Sequence, residues 1–109
     1  MDALPPQWRD TVRKCAKQGA IEWRTHALHR MLQRGITRGE VVETLLDGEL
    51  IEAYPQDSPF PRGLLFHMNQ QPLHVAASCD LETMTVHIHT AYRPDSEYFL
   101  PDFKTRRIS

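Results

Sequence analysis

The stretch Thr37-Arg38-Gly39-Glu40-Val41-Val42-Glu43-Thr44-Leu45-Leu46-Asp47-Gly48-Glu49-Leu50-Ile51-Glu52-Ala53-Tyr54 changes its hydrophobic period in the middle. Its first half reads as a helix. Thr37 and Glu40 have the spacing of a capping box, and Ile36 and Val41 stand at the two positions of a hydrophobic staple. Val42, Leu45 and Leu46 continue the apolar face, and Gly48 closes it. The second half, Leu50 to Tyr54, is a short strand. A chain that passes from helices to strands and does not alternate between them is expected to be α+β.

Working backward, Trp23-Arg24-Thr25-His26-Ala27-Leu28-His29-Arg30-Met31-Leu32-Gln33-Arg34-Gly35-Ile36 predicts a second helix. Thr25 is its expected N-cap and Gly35 its stop. Ala27, Leu28 and Met31 form its apolar stripe, while His26, His29 and Arg30 share another face. Ile21 and Trp23 alternate with Glu22 as a short strand would. Before them Pro5-Pro6 can start a helix, with Trp8, Val12, Cys15 and Ala16 on one side and Gly19 at the end.

Working forward, Pro55 to Pro61 is a proline-rich loop. Gly63–Met68, Leu73–Ser78 and Met84–Tyr92 are predicted strands. The links between the later strands are short, which predicts an antiparallel meander. The expected architecture is helices packed on one face of a four-stranded antiparallel sheet. Its expected division is an N-terminal helical extension over 1–20 and one α+β domain over 21–109 ending in a basic tail. In the last strand, Met84, Val86, Ile88, Thr90 and Tyr92 alternate with Thr85, His87, His89 and Ala91. The first set is read as core-facing at its start.

Composition sets limits on function. The chain has 109 residues, 40% of them hydrophobic, and a formal net charge of −1. That length suits one compact domain. The net charge argues against a generally basic nucleic-acid binder, but its distribution is uneven. Gly39 to Pro61 carries six acids and no Lys or Arg, arginines crowd Arg24 to Arg38, and Lys104, Arg106 and Arg107 crowd the end. A basic patch can therefore hide in a near-neutral total. No apolar run is long enough to span a bilayer, and Met1-Asp2-Ala3-Leu4-Pro5-Pro6 lacks the look of a signal peptide. Cys15 and Cys79 form no C-x-x-C pair and read as buried, reduced thiols. The expected location is the cytoplasm.

Two groups of residues carry candidate chemistry. His26 with Arg30, and Arg34 one turn on, would combine a proton-exchanging imidazole with phosphate-binding guanidiniums. Capping and ion pairing would use the same residues. His89, Tyr92 and Arg93, with Lys104, Arg106 and Arg107, would combine a phenol with cations at a sheet edge. Metal-independent RNA cleavage needs a base for the 2′-hydroxyl, an acid for the leaving oxygen and cations for the phosphorane. A third group, His74, His87 and His89, would share a face if Cys79–Glu82 were the hairpin loop, with His74 opposite His87. Three such imidazoles could hold zinc.

His26-Ala27-Leu28-His29-Arg30-Met31, Arg34-Gly35-Ile36, Tyr54-Pro55-Gln56-Asp57, Pro72-Leu73-His74-Val75, Thr90-Ala91-Tyr92-Arg93-Pro94-Asp95 and Asp102-Phe103-Lys104-Thr105-Arg106-Arg107 resemble a bacterial domain-of-unknown-function family, DUF4258. That family in turn resembles BrnT- and RelE-type ribonuclease toxins of toxin–antitoxin pairs. The resemblance implies a RelE-like fold and cleavage of messenger RNA without a metal or other cofactor. It also implies a neutralising antitoxin, of zinc-finger MqsA type. It singles out His26, Arg30, Tyr92, Lys104 and Arg106 as catalytic, and the residue reading adds Arg34, His89, Arg93 and Arg107 as RNA-binding. A non-catalytic protein- or RNA-binding module is the alternative from another class, and a histidine-cluster metal-binding protein is a third.

Overall fold

A computed structural model describes residues 3–108. Met1, Asp2 and Ser109, the outermost residues of the expected extension and tail, lie outside them. The order of elements is α1 (Trp8–Gln18), β1 (Ile21–Trp23), α2 (Thr25–Arg34), α3 (Arg38–Asp47), β2 (Glu49–Tyr54), β3 (Arg62–Asn69), β4 (Gln71–Asp80) and β5 (Thr85–Tyr92). The fold is α+β, as the change of period predicts.

The sheet corrects the expectation of four antiparallel strands. It has five strands in the order β1-β5-β4-β3-β2. β2 to β5 form the antiparallel meander, but β1 joins the far edge parallel to β5, with Ile21 beside Val86 and Trp23 beside Ile88. A three-residue strand whose partner lies some sixty positions later leaves no local signature.

All three helices cover one face. Trp8, Val12, Cys15 and Ala16 of α1, Ala27 and Met31 of α2, and Val41 and Leu45 of α3 are buried in one cluster. They meet Leu65, Leu73, Val75, Ala77, Cys79, Val86, Ile88 and Ala91 of the sheet. α1 is tied in by its cations as well. Arg9 donates to the carbonyls of Leu45 and Gly48, each at 2.7 Å, and Arg13 donates to that of Leu46 at 3.1 Å. They satisfy carbonyls that the end of α3 leaves without helical partners. Burial and the neighbouring Arg13 lower the Arg9 pKa to about 10.

The helix ends follow the sequence, with one correction. Thr37 accepts from the Glu40 amide and Glu40 accepts from the Thr37 amide, completing the capping box. Gly19 and Gly35 end α1 and α2 at φ 72° and 69°, where a side chain would be strained. Thr25 does not cap α2. Arg24 occupies the cap position and Thr25 is already inside the helix.

Two further corrections fix the register. The β4–β5 hairpin is closed by Leu81–Met84, two residues later than expected, because Asp80 accepts the Glu82 and Thr83 amides and holds the turn beyond itself. β5 also carries a bulge. Ala77 pairs with Ile88 and Ala76 with Thr90, leaving His89 as the extra residue. The strand's faces therefore exchange at His89. Val86, Ile88 and Ala91 all point to the core, and Tyr92 joins His87 on the opposite face.

Candidate functional site

The face of the sheet away from the helices is built in rows by the strand register. Glu49, Phe66, His74 and Tyr92 form one row across β2, β3, β4 and β5. Glu52, Leu64, Ala76 and Thr90 form the next, and Tyr54, Arg62, Ser78 and His87 the third. Such alternation would normally leave a polar face in water. Here the C-terminal segment folds over the first row.

That segment is a small hairpin. Leu100 donates its amide to Thr105 and Arg107 donates to Tyr98, each at 2.8 Å, and Phe99 faces Arg106. Asp102 shapes the turn by accepting the amides of Lys104 and Thr105 and the Thr105 hydroxyl. Those donors pull its carboxyl down to about 2. The hairpin is anchored on the acids of β2. Arg106 makes a two-pronged ion pair with Glu52 at 2.6 and 3.1 Å, and Lys104 reaches Glu49 at 3.2 Å. Tyr54 also donates its hydroxyl to Glu52. Burial alone would raise the Glu52 pKa, but the bonds from Arg106 and Tyr54 outweigh it and leave the carboxyl below the usual range.

His74 lies at the centre with no exposed surface. Phe99 packs edge-on against it at 4.7 Å between ring centres, with Tyr92 at 5.2 Å and Phe66 at 5.8 Å. Its Nε2 is 2.6 Å from the carbonyl oxygen of Phe103. A carbonyl can only accept, so Nε2 carries the hydrogen. Burial lowers the His74 pKa, which favours the neutral ring. In a neutral ring Nδ1 is then an acceptor, and the Tyr92 hydroxyl donates to it at 3.2 Å. Burial raises the Tyr92 pKa, and the positive charge of Arg106 opposes that rise.

Tyr92 also lines an open cleft of about 500 Å³ with Arg34, Arg93, Asp95, Tyr98 and Phe99. Arg34 is held there by donating to the Ala91 carbonyl at 2.9 Å. Arg93 donates to Glu40 at 2.7 Å, so the capping box of α3 also braces the cleft wall.

The cleft thus unites Arg34, Tyr92 and Arg93, with Arg106 behind Tyr92. It does not include His26 or Arg30. Both are exposed on α2, with no hydrogen bond or ion pair to another described residue. His26, Arg30 and Arg34 follow one another at intervals of four and so run along one flank of the helix, about 12 Å of its axis. Lys104 and Arg106 are engaged with Glu49 and Glu52, and Arg107 donates to the Ser96 carbonyl at 2.7 Å. His89 is also outside the cleft, with Nε2 2.7 Å from the Ser78 hydroxyl.

The expected histidine trio does not assemble. His74 is opposite Tyr92 and not His87, because the hairpin loop begins two residues later than the expectation required and the bulge at His89 adds one more step. His87 stacks on Phe60 at 5.3 Å. Among the described residues, the group close enough to share an ion is Glu43, Asp47 and His67, none of them in that trio. Glu43 already accepts from Asn69 and bonds His67.

Sequence reasoning missed Glu52, Tyr54 and the use made of His74. One signal was available: acids without cations in β2 and cations crowded in the tail are complementary. The fold and the site together define a small α+β protein with a buried imidazole and a phenol at the edge of a basic, aromatic cleft. Residues 23–93 match the family described as Domain of unknown function (DUF4258), and the chain belongs to that family. No curated protein and no solved structure matches it.

Proposed function

We propose that the protein is an endoribonuclease that cleaves RNA without a metal and serves as the toxin of a bacterial toxin–antitoxin pair. The observation that carries this reading is Tyr92. Its hydroxyl donates to a buried imidazole, and the residue is among those lining a cleft with Arg34 and Arg93. A phenol with a proton acceptor behind it and guanidiniums beside it has the parts for transfer of a 2′-hydroxyl's attack onto phosphorus. The flank His26–Arg30–Arg34 supplies a track for the phosphate chain leading to the cleft. The exposed ring of Tyr98 offers a surface for a base.

The likeness of the family to RelE- and BrnT-type toxins supports the same reading. It brings with it a RelE-like fold, a cytoplasmic location and an antitoxin partner, of zinc-finger MqsA type. On this reading, expression without the partner arrests growth.

The test is cleavage of a doubly labelled single-stranded RNA by the purified protein in EDTA. Tyr92→Phe is expected to lower the rate by about 100-fold while leaving RNA affinity nearly unchanged. Full activity of Tyr92→Phe would remove the phenol from the reaction. Binding should weaken steeply with salt, since neutralised phosphates release counterions.

A second reading, a non-catalytic protein-binding module, is favoured by one observation. Arg93, Lys104 and Arg106 are each already paired with an acid of the same chain. It expects no cleavage, and partner binding that is indifferent to Tyr92→Phe.

A further inference from the structure

We propose that His74 is the proton acceptor for Tyr92, held in the required tautomer by the backbone carbonyl of Phe103, so that the C-terminal hairpin is a component of the reactive site. This rests on the ribonuclease reading and assigns a role within it. His74 is a positioning residue: it is sealed from solvent and meets RNA only through Tyr92.

The geometry supplies each part. The 2.6 Å bond to the Phe103 carbonyl commits Nε2–H and leaves Nδ1 with a lone pair. That lone pair meets the hydroxyl of Tyr92, a residue that lines the cleft. Phe66, Tyr92 and Phe99 enclose the ring edge-on and keep it from turning over. An imidazole fixed through one nitrogen and receiving a proton at the other is the arrangement that activates hydroxyl nucleophiles elsewhere, with a carboxylate in the orienting place. Here a main-chain oxygen takes that place, contributed by the segment farthest along the chain.

The 2′-hydroxyl gives its proton to the Tyr92 oxygen as the Tyr92 phenolic proton passes to His74 Nδ1. The 2′-oxygen forms its bond to phosphorus, and the bond from phosphorus to the 5′-oxygen breaks. The departing 5′-oxygen takes its proton back along the same path. The products are a 2′,3′-cyclic phosphate and a 5′-hydroxyl, and no oxidant or other reactant is consumed.

The charged and titratable groups facing His74 are Glu52 from β2, Tyr92 from β5 and Arg106 from the hairpin; Phe66, Phe99 and Phe103 add none. Glu52 titrates below the usual carboxylate range. Burial sets the His74 imidazole below its ordinary range, so an acid limb that disappears in His74→Gln belongs to His74.

The experiment has two arms on the full chain. Nitrogen-15 NMR of the free protein reads the tautomer, and Nε2–H with an unprotonated Nδ1 is expected. His74→Gln keeps one donor and one acceptor on the side chain but cannot take up a proton. It is expected to fold, to cleave the labelled RNA about 100-fold more slowly, and to lose the acid limb of the pH profile. An Nδ1–H tautomer overturns the proposal. So does an active wild-type protein whose His74→Gln variant cleaves within threefold of its rate or keeps the acid limb. A folded wild-type protein that cleaves no RNA overturns the ribonuclease reading itself, and the relay with it.

Discussion

The two faces of this sheet are closed by different physics. Three helices cover one face with Trp8, Met31, Leu45 and their neighbours, a cluster without a charged side chain. The C-terminal hairpin covers the other through Arg106 on Glu52, Lys104 on Glu49 and the Phe103 carbonyl on His74. Burial of apolar area is non-directional and strong, so the helical face supplies most of the stability. Ion pairs at a half-exposed edge add little to stability but fix geometry closely. The face that stabilises least holds the groups able to move protons.

Substitutions on each side separate these roles. Leu45→Ala empties a fully buried site and is expected to cost about 2–5 kcal/mol, read by chemical denaturation. A loss no greater than that of a surface change would end the contrast between the faces. Thr37→Ala removes the side chain that accepts the Glu40 amide and should cost about 1 kcal/mol on the same scale. Because Glu40 also holds the Arg93 guanidinium, the variant should loosen the cleft wall, visible as a changed NMR signal of the Arg93 guanidinium.

Glu52→Gln is expected to change global stability least, by under about 1 kcal/mol, since Arg106 is 53% exposed. Its effect should appear locally, as lost exchange protection at Leu100 and Arg107, whose amides close the hairpin. Acid should act on the same place. Glu52 and Asp102 both have folded values below their ordinary ones, so their contribution is complete above the unfolded values and is lost as pH falls through the folded ones. The hairpin should loosen between roughly pH 4.3 and the value of about 2 at Asp102, ahead of the helical core. Simultaneous loss of both faces would show that they are one cooperative unit.

What could be read from the sequence divides along the same line. The capping box at Thr37, the glycine stops and the apolar stripes of α1 to α3 are local signals set by helical spacing. They located the helical face almost residue by residue. The other face depends on register and on partners eighteen or more positions apart. The parallel edge strand Ile21–Trp23, the Arg106–Glu52 pair and the Phe103 carbonyl under His74 leave no periodic trace. His26 and Arg30 are legible as a pair because they stand one turn apart on one helix, whereas Tyr92 and His74 become neighbours only after two strands pair.

The unpaired His89 between Ile88 and Thr90 has a consequence for how such a protein can vary. One additional amino acid lets the inward and outward duties of a single β-strand be set independently on either side of it. Deleting it would restore plain alternation, with Ile88 in, Thr90 out, Ala91 in and Tyr92 out, and so leave the phenol where it stands. A slip that drew His89 into the ladder opposite Ala76 would do the opposite, turning the phenol inward and the small Ala91 side chain out, so the placement of Tyr92 depends on this one position staying out of the pairing.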